Sequence, residues 1–255
     1  MRSRPSITPT IMAVVVAGVA ATLLAGCGAS EPVGVGTTLA GRLLPGDRLP
    51  KSFTAVPYQT GDMIAANRST LEQATKVGFE PEQCRPTADA AFTPHLTEDN
   101  TVLLAAQADG GTLTELVSTV PRNVDADRRD TSGPCRVVTS TPTTGVLAGA
   151  RIVNTATELP APYDDSLRES VEQSYLLRTD SVTTSADGSV RSRSTYLANV
   201  LVKAPAGTLT VQVGVASNDA VGSNDKPGTA SSEPPITEEA FAGLVRSAVE
   251  RASLR

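Results

Sequence analysis

The clearest pattern along the chain is an alternation of apolar and polar residues near its C-terminal end. The apolar positions are Leu209, Val211, Val213 and Val215. A period of two places these side chains on one face of a half-buried antiparallel strand. The segments 196–202 and 175–184 predict two earlier strands, with a turn at Asp187-Gly188 between them. Three strands in succession predict a meander.

A helical stripe follows the meander. The apolar residues recur three or four positions apart at Phe241, Leu244, Val245, Ala248, Val249 and Ala252. This spacing predicts an amphipathic helix from Thr237 to about Ala252, with its apolar side against the sheet. Thr237 suits the N-cap, and Glu238 and Glu239 suit the positive end of the helix dipole.

The middle and the beginning of the chain predict shorter elements. Residues 101–107 and 112–117 flank Asp109-Gly110-Gly111, which is a hairpin signal. Further strands are expected over 135–140 and 146–155.

Two short helices complete the predicted elements. One runs from Ser69 to Val77, because Ser69 and Glu72 have capping-box spacing and Gly78 would end the helix. The other lies between 163 and 171, with Asp164-Asp165 in its first turn. Together these patterns predict an α+β fold: a mainly antiparallel sheet whose late meander is packed by a C-terminal amphipathic helix.

The N-terminal segment has the three parts of a bacterial lipoprotein signal. A cationic start, Met1-Arg2-Ser3-Arg4, is followed by an apolar stretch from Ile11 to Gly26 and by the lipobox Leu24-Ala25-Gly26-Cys27. We therefore expect residues 1–26 to be removed and Cys27 to be acylated, which would anchor the protein to the extracytoplasmic face of the cell membrane. The alternative is a permanent N-terminal anchor in which Cys27 has no role; the apolar stretch is short for that.

The remaining chain divides by composition. Residues 27–47 are rich in Gly, Ser, Thr and Pro and predict an acylated cysteine followed by a flexible tether. Residues 48–255 predict a single α+β domain that opens at Leu49, with a mobile surface loop over 217–235.

Two cysteines remain once Cys27 is lipidated. An exported chain meets an oxidising compartment, so a Cys84–Cys135 disulfide is the simplest interpretation. The competing interpretation is a reactive or metal-binding cysteine. The chain has no CxxC pair to support this interpretation, and its one histidine, His95, is the one available imidazole ligand.

Charge and aromatic content narrow the set of partners. The formal net charge is −5, and it becomes −7 when Arg2 and Arg4 leave with the signal. An acidic domain does not favour nucleic acid, which requires Lys and Arg to neutralise phosphates. With no Trp, four Tyr and four Phe, the chain also has few stacking platforms. The expected partners are the membrane, through the lipid on Cys27, and a small-molecule, lipid or envelope-protein ligand.

The candidates for chemistry all have ordinary explanations. His95 has no Gly-x-Ser-x-Gly elbow beside it, and Asp164-Asp165 are adjacent, so their side chains diverge on a helix. The loop 218–225 is rich in oxygen ligands but lacks EF-hand spacing, and Arg128-Arg129 lie among acids in a predicted solvated loop. We expect no enzymatic activity, no metal and no cofactor, and no ligand-binding residues can be assigned.

The order of these elements resembles a known group. The lipobox, the tether, the Leu49 to Phe53 start, the two cysteines, the meander and the terminal helix are similar to actinobacterial lipoproteins related to the extracellular sensor domain of PknH-type kinases. The resemblance covers about residues 48–254. It implies a disulfide-stapled α+β domain with a cleft for a ligand; that domain has two disulfides, and this chain has cysteines for one. A second resemblance is to small lipoproteins with a PsbP-like α/β sandwich.

Two functions follow as expectations. The first is a membrane-anchored, non-enzymatic ligand-binding or sensor-like module of the cell envelope. The second is a carrier for an apolar envelope lipid. A carrier needs a large apolar cavity, whereas a sensor cleft can be shallow and polar.

Overall fold

The structure is a computed structural model that describes residues 38–205, 207–222 and 232–254. The signal segment, the lipobox with Cys27 and residues 28–37 of the tether lie outside the described residues. The same holds for residues 223–231 of the predicted loop. Signal cleavage and acylation therefore stay predictions.

The described residues form a large sheet of ten strands in which every pairing is antiparallel. The strands are β1 (Thr54–Val56), β2 (Val77–Glu80), β3 (Thr101–Ala108), β4 (Gly111–Ser118), β5 (Val137–Pro142), β6 (Arg151–Leu159), β7 (Val171–Thr184), β8 (Val190–Ala204), β9 (Gly207–Ser217) and β10 (Ala220–Gly222). Their spatial order is β1-β3-β4-β9-β8-β7-β6-β5-β2, and β10 pairs with β8. The predicted meander is confirmed as β7-β8-β9.

Five α-helices and five 3₁₀ helices accompany the sheet in the described residues. The α-helices are α1 (Thr60–Ala74), α2 (Ala88–Phe92), α3 (Val124–Thr131), α4 (Asp165–Arg168) and α5 (Glu238–Ser253). The 3₁₀ helices span Leu39–Arg42, Gly46–Arg48, Glu82–Cys84, Thr93–His95 and Gly133–Arg136. The α+β class is confirmed.

Helix α5 packs on one face of the sheet, over β8 and β9. Its six predicted apolar residues are all buried, and they join the buried aliphatic residues of the meander in one cluster. The Thr237 hydroxyl caps the helix by accepting a hydrogen bond from the Ala240 amide at 3.2 Å. This face, which we call the α5 face, is the main hydrophobic core.

The opposite face, which we call the α3 face, carries α1, α2 and α3. Its apolar residues fall into smaller clusters. One joins Ile64 of α1 and Phe92 of α2 to Leu116 of β4. Another joins Val124 of α3 to Tyr175 and Leu201 of the meander.

Local turn chemistry explains the confirmed hairpins. Strands β3 and β4 meet at Ala108 and Gly111, so Asp109-Gly110 forms the two-residue turn. In the β7–β8 turn, Gly188 has a φ of +82°, which favours glycine, and the Asp187 carboxylate accepts from the Ser189 amide at 2.9 Å.

The predicted helix from Ser69 to Val77 is wrong in its bounds. Helix α1 begins at Thr60 and ends at Ala74, so Ser69 and Glu72 lie inside it and do not cap it. Val77 and Gly78 belong to β2, which pairs with β5. The earlier start has a tertiary cause, because Ile64 is buried against the sheet.

The predicted tether is too long. Residues 38–47, which composition placed in it, form 3₁₀ helices on the domain, and Leu44 is 4% exposed. The folded part therefore starts before Leu49. A short segment can pack on the domain through a few buried side chains such as Leu44. The overall composition of the segment does not show which side chains will be buried.

Several other boundaries also differ. Cys135 lies in a 3₁₀ helix before β5, and the strand predicted over 146–155 runs from Arg151 to Leu159. Positive φ angles at Gly145 and Gly149 mark the turn that delays it. The helix predicted over 163–171 is the short α4, and Val171 begins β7.

Two predicted loops contain regular structure. The residues around Arg128-Arg129 form α3, where Asp127 is buried, so the interpretation as a solvated loop is wrong. In the loop predicted over 217–235, residues 220–222 form β10 and Ser232 is buried.

Candidate functional site

Two side-chain amides meet near the centre of the α3 face. Asn199 of β8 lies directly opposite Gln212 of β9, and the Gln212 Nε2 atom donates a hydrogen bond to the Asn199 Oδ1 atom at 2.7 Å. Asn199 is fully buried, whereas Gln212 is partly exposed. We call Asn199 and Gln212 the amide pair.

The amide pair is incompletely bonded. Among the described residues, the Asn199 Nδ2 atom has no hydrogen-bond partner. Asn199 is flanked along β8 by Leu197 and Leu201, and Tyr175 lies opposite it on β7. A buried donor without an acceptor costs about 1–3 kcal/mol. An acceptor oxygen that reached the Asn199 Nδ2 atom would recover this free energy.

The sheet surface beside the amide pair is accessible. Gly214 follows Gln212 on the same face and lies opposite Thr114 of β4 and Leu197 of β8. Thr114 is exposed, and Leu197 and Gly214 are partly exposed. A Cβ atom on Gly214 would lie 3.0 Å from the Thr114 Oγ1 atom. Because Gly214 has no side chain, the space beside Thr114 stays open. We call Thr114, Leu197 and Gly214 the approach surface.

An ion cluster holds the helices beside the amide pair. The Arg122 guanidinium donates from Nε to Asp127 at 2.7 Å and from Nη2 to Asp127 at 2.6 Å. The same Nη2 atom contacts the Asp89 carboxylate at 2.8 Å, and the guanidinium lies 5.2 Å from the centre of the Phe92 ring. The backbone amide of Arg122 donates to Thr210 of β9 at 3.0 Å. We call these residues the Arg122 cluster.

The electrostatics of the Arg122 cluster favour a structural role. Burial alone would lower the pKa of Arg122, but its hydrogen bonds to Asp127 and the charge of Asp89 raise the pKa above its ordinary value. Two carboxylates already engage the guanidinium, so the cluster does not form an open anion site. It ties α2 and α3 to the sheet, where the Arg122 amide bonds Thr210, two residues before Gln212 on β9.

Local capping explains why α2 and α3 form here. The Asn123 side chain caps α3 by accepting from the Ala126 amide at 2.9 Å. Asp130, at the end of α3, accepts hydrogen bonds from the Thr87 amide at 2.6 Å and the Ala88 amide at 3.3 Å. These bonds satisfy backbone donors at the start of α2.

The structure places the predicted disulfide and leaves the lipidation site untested. Cys84 and Cys135 are bonded, with their Cα atoms 5.2 Å apart and 51 positions apart in sequence, and both are buried. The disulfide is confirmed; it joins the two 3₁₀ helices Glu82–Cys84 and Gly133–Arg136. Cys27 lies outside the described residues.

The other sequence candidates are not brought together. His95 is exposed at the end of a 3₁₀ helix. Asp164 caps α4 by accepting from the Leu167 amide at 2.9 Å, which lowers the pKa of this carboxyl, so the helix-terminal role of Asp164 is confirmed. Arg128 lies over the Tyr175 ring and contacts Glu158 at 3.5 Å.

No metal centre or bilayer-spanning helix is found in the part of the chain that the structure describes. Across residues 38–205, 207–222 and 232–254, no three His, Cys, Asp or Glu side chains are placed to hold a metal ion. None of the helices in those ranges is long and apolar enough to cross a bilayer.

Sequence reasoning missed the amide pair, the Arg122 cluster and the buried Glu115 of β4. Gln212 was assigned only to the polar side of a strand, and Asn199 to a strand interior. A weak signal existed, because Asn is depleted in strands and Asn199 interrupts an otherwise aliphatic segment.

Comparisons with known proteins give little further guidance. No protein-family model matches the chain, and no curated protein matches it significantly. Among solved structures, an uncharacterised protein from Mycobacterium smegmatis, an Rv0999 ortholog, is similar with 16% identity and a TM-score of 0.41. The match covers 81% of this chain and 92% of that chain. A TM-score of this size does not establish a common fold.

Proposed function

We propose that this protein is a membrane-anchored lipoprotein of the cell envelope that acts as a non-enzymatic ligand-binding or sensor-like module. The observation that carries the proposal is the amide pair, in which the buried Asn199 Nδ2 atom lacks an acceptor among the described residues and Gln212 is partly exposed beside the approach surface. The ligand class is a small polar molecule that presents a carbonyl or carboxylate oxygen. The resemblance to PknH-type sensor domains agrees with a ligand site on such a fold.

The packing of the α5 face favours this function over a lipid carrier. A carrier would need a large apolar cavity between α5 and the sheet. Phe241 and Val245 of α5 and Val200 and Val213 of the sheet are fully buried there, and the Phe241 ring stacks 5.0 Å from that of Tyr196. Side chains thus fill the layer that a carrier would open.

Native mass spectrometry of the full chain, purified from its own host in mild detergent, tests the ligand site. We expect a retained small molecule in the wild type. Asn199→Leu removes the unpartnered donor without reducing side-chain volume, and this variant should lose the molecule. Gly214→Ala adds a methyl group on the approach surface and should weaken retention while both amides stay in place.

The matched control is Asn154→Leu, because Asn154 lies on the same face of the sheet in β6 but bonds Ser181. This control variant should retain the molecule. A wild type that carries no small molecule would contradict the proposal. Equal retention by Asn199→Leu and the wild type would contradict it as well.

Membrane anchoring is tested separately through Cys27. Cys27→Ser removes the thiol that would receive the lipid. The precursor should therefore stay uncleaved, and its mass should not include an acyl group. Fractionation, followed by intact-mass measurement, checks this. Normal processing of the Cys27→Ser chain at the same place would contradict a lipoprotein.

A further inference from the structure

A short N-terminal segment is fastened across the α5 face. Residues 38–49, which we call the N-terminal strap, pack on β3, β4 and α5. Leu44 and Leu49 of the strap are buried in the main core. The strap is the described part of the chain that follows the predicted lipid anchor.

Polar bonds fasten the strap at two places. The Arg42 guanidinium donates to the backbone oxygen of Ala252 at 3.1 Å and to that of Leu254, both at the C-terminal end of α5. The Leu44 amide donates to the Glu115 Oε2 atom at 2.8 Å. The second bond joins the strap to β4.

Glu115 is an unusual residue for its position. It lies between Leu113 and Val117 on β4, with its side chain on the α5 face, and it is fully buried. Across the sheet its neighbours are Leu104 of β3 and Val213 of β9. The Glu115 Oε1 atom has no hydrogen-bond partner among the described residues. The strap is one of the elements that cover this carboxyl group.

The charged groups that face Glu115 come from the elements packed over it. Arg251 of α5 attracts the carboxylate. Arg42 of the strap is engaged with the carbonyls at the end of α5. The neighbours on β3 and β9 are aliphatic. A single hydrogen bond and one nearby cation compensate poorly for complete burial of a carboxylate.

We propose that Glu115 and the N-terminal strap form a pH-dependent latch, closed over the neutral carboxyl group and opened more often when the carboxylate is ionised. When the strap opens, water reaches the Glu115 carboxylate, and Leu44 loses its hydrogen bond to Glu115 and its contacts in the main core. Since the strap leads toward the predicted anchor, its opening lengthens the connection between the domain and the membrane.

The raised pKa of Glu115 places its titration near neutral pH. Burial raises the pKa of Glu115 from its ordinary value of 4.5 to about 7, although the Leu44 amide and Arg251 lower it in part. A difference of this size corresponds to about a 300-fold increase in the opening equilibrium once the pH exceeds the raised pKa. The change should take place between about pH 4.5 and pH 7.

Amide hydrogen exchange of the full chain in mild detergent, measured from pH 5 to pH 8.5 and corrected for intrinsic rates, tests the latch. We expect the corrected protection of the strap amides to fall as the pH rises, by about 70-fold over this range, because part of the roughly 300-fold change lies below pH 5. The strap should also exchange faster than the buried amides of α5 and β8 at every pH, because it opens locally.

Two variants sharpen the test. Glu115→Gln keeps the shape of the side chain without an ionisable group, so the protection of the strap should become independent of pH. Glu250→Gln, at an exposed position on α5, should behave like the wild type. Wild-type strap protection that does not change with pH would overturn the proposal. Strap amides that exchange no faster than those of α5 and β8 would overturn it too, and neither result requires a variant to fold.

Discussion

The two faces of the sheet are stabilised in different ways. On the α5 face, a helix of 16 residues with six buried apolar side chains covers one continuous hydrophobic cluster. On the α3 face, α1 has 15 residues but buries Ile64 alone, α2 and α3 are shorter, and the apolar residues form separate small clusters. These helices bury less apolar surface, and there the Arg122 cluster, the Asp130 caps and the disulfide join the elements.

This difference has a functional meaning. A tightly packed aliphatic layer has little space for a polar ligand, whereas a face held by polar links can leave a donor such as Asn199 Nδ2 without a partner. The α5 face therefore provides most of the hydrophobic stabilisation, and the α3 face carries the candidate site. The strap is the exception, because Glu115 lies under it within the aliphatic layer.

The largest effect is expected from breaking the Arg122 cluster. Arg122→Met leaves Asp127 buried without its cation, which should lower the free energy of unfolding by about 3–5 kcal/mol. Urea denaturation measures it. Arg128→Met is the control, because its contact with Glu158 is exposed and should contribute at most about 1 kcal/mol. Equal losses in the two variants would refute the polar-link account of the α3 face.

Loss of the disulfide should be nearly as costly. Replacing both Cys84 and Cys135 by Ala frees a loop of 51 positions in the unfolded chain, which corresponds to about 4 kcal/mol. Denaturation of the variant, compared with that of the oxidised wild type, measures the loss. Two titratable thiols in the oxidised, denatured wild type would show that the bond does not form.

Truncation on the α5 face tests the other half of the comparison. Leu244→Ala should lower the free energy of unfolding by about 2–5 kcal/mol, because Leu244 is 5% exposed in the main cluster. Leu254→Ala, at a side chain that is 43% exposed, should have a much smaller effect. An unshifted melting curve for Leu244→Ala would instead make α5 a movable wall and favour the lipid carrier.

Glu115 should give the smallest change, visible as a pH dependence of global stability. Because its folded pKa is raised from 4.5 to about 7, the native state binds more protons than the unfolded state between these values. Stability is therefore highest at low pH within this window and falls as the pH rises through about 7, by about 3 kcal/mol. Denaturation of the wild type and of Glu115→Gln at pH 5 and pH 8 measures the difference. A pH dependence that persists in Glu115→Gln would assign it to other groups.

The elements that were predicted well depend on neighbours close in sequence. The α5 stripe, the Asp109-Gly110 hairpin and the meander follow from periodicity and turn residues, and all are present. The helix predicted from Ser69 to Val77 failed for the opposite reason. Val77 becomes a strand residue only because β5, about sixty positions later, pairs with it.

The sequence by itself determined the strand succession of the meander and the buried side of α5, because periodicity suffices for these. The pairing of Cys84 with Cys135 followed from the sequence only with Cys27 assigned to the lipobox, and the structure places that bond. The tertiary structure alone decided that residues 38–47 pack, that Asp127 and Glu115 are buried and that Asn199 lacks an acceptor. Burial and hydrogen-bond satisfaction depend on which element lies over a residue. The alternation along a strand specifies on which face of the sheet a side chain lies, but not which element packs over that side chain.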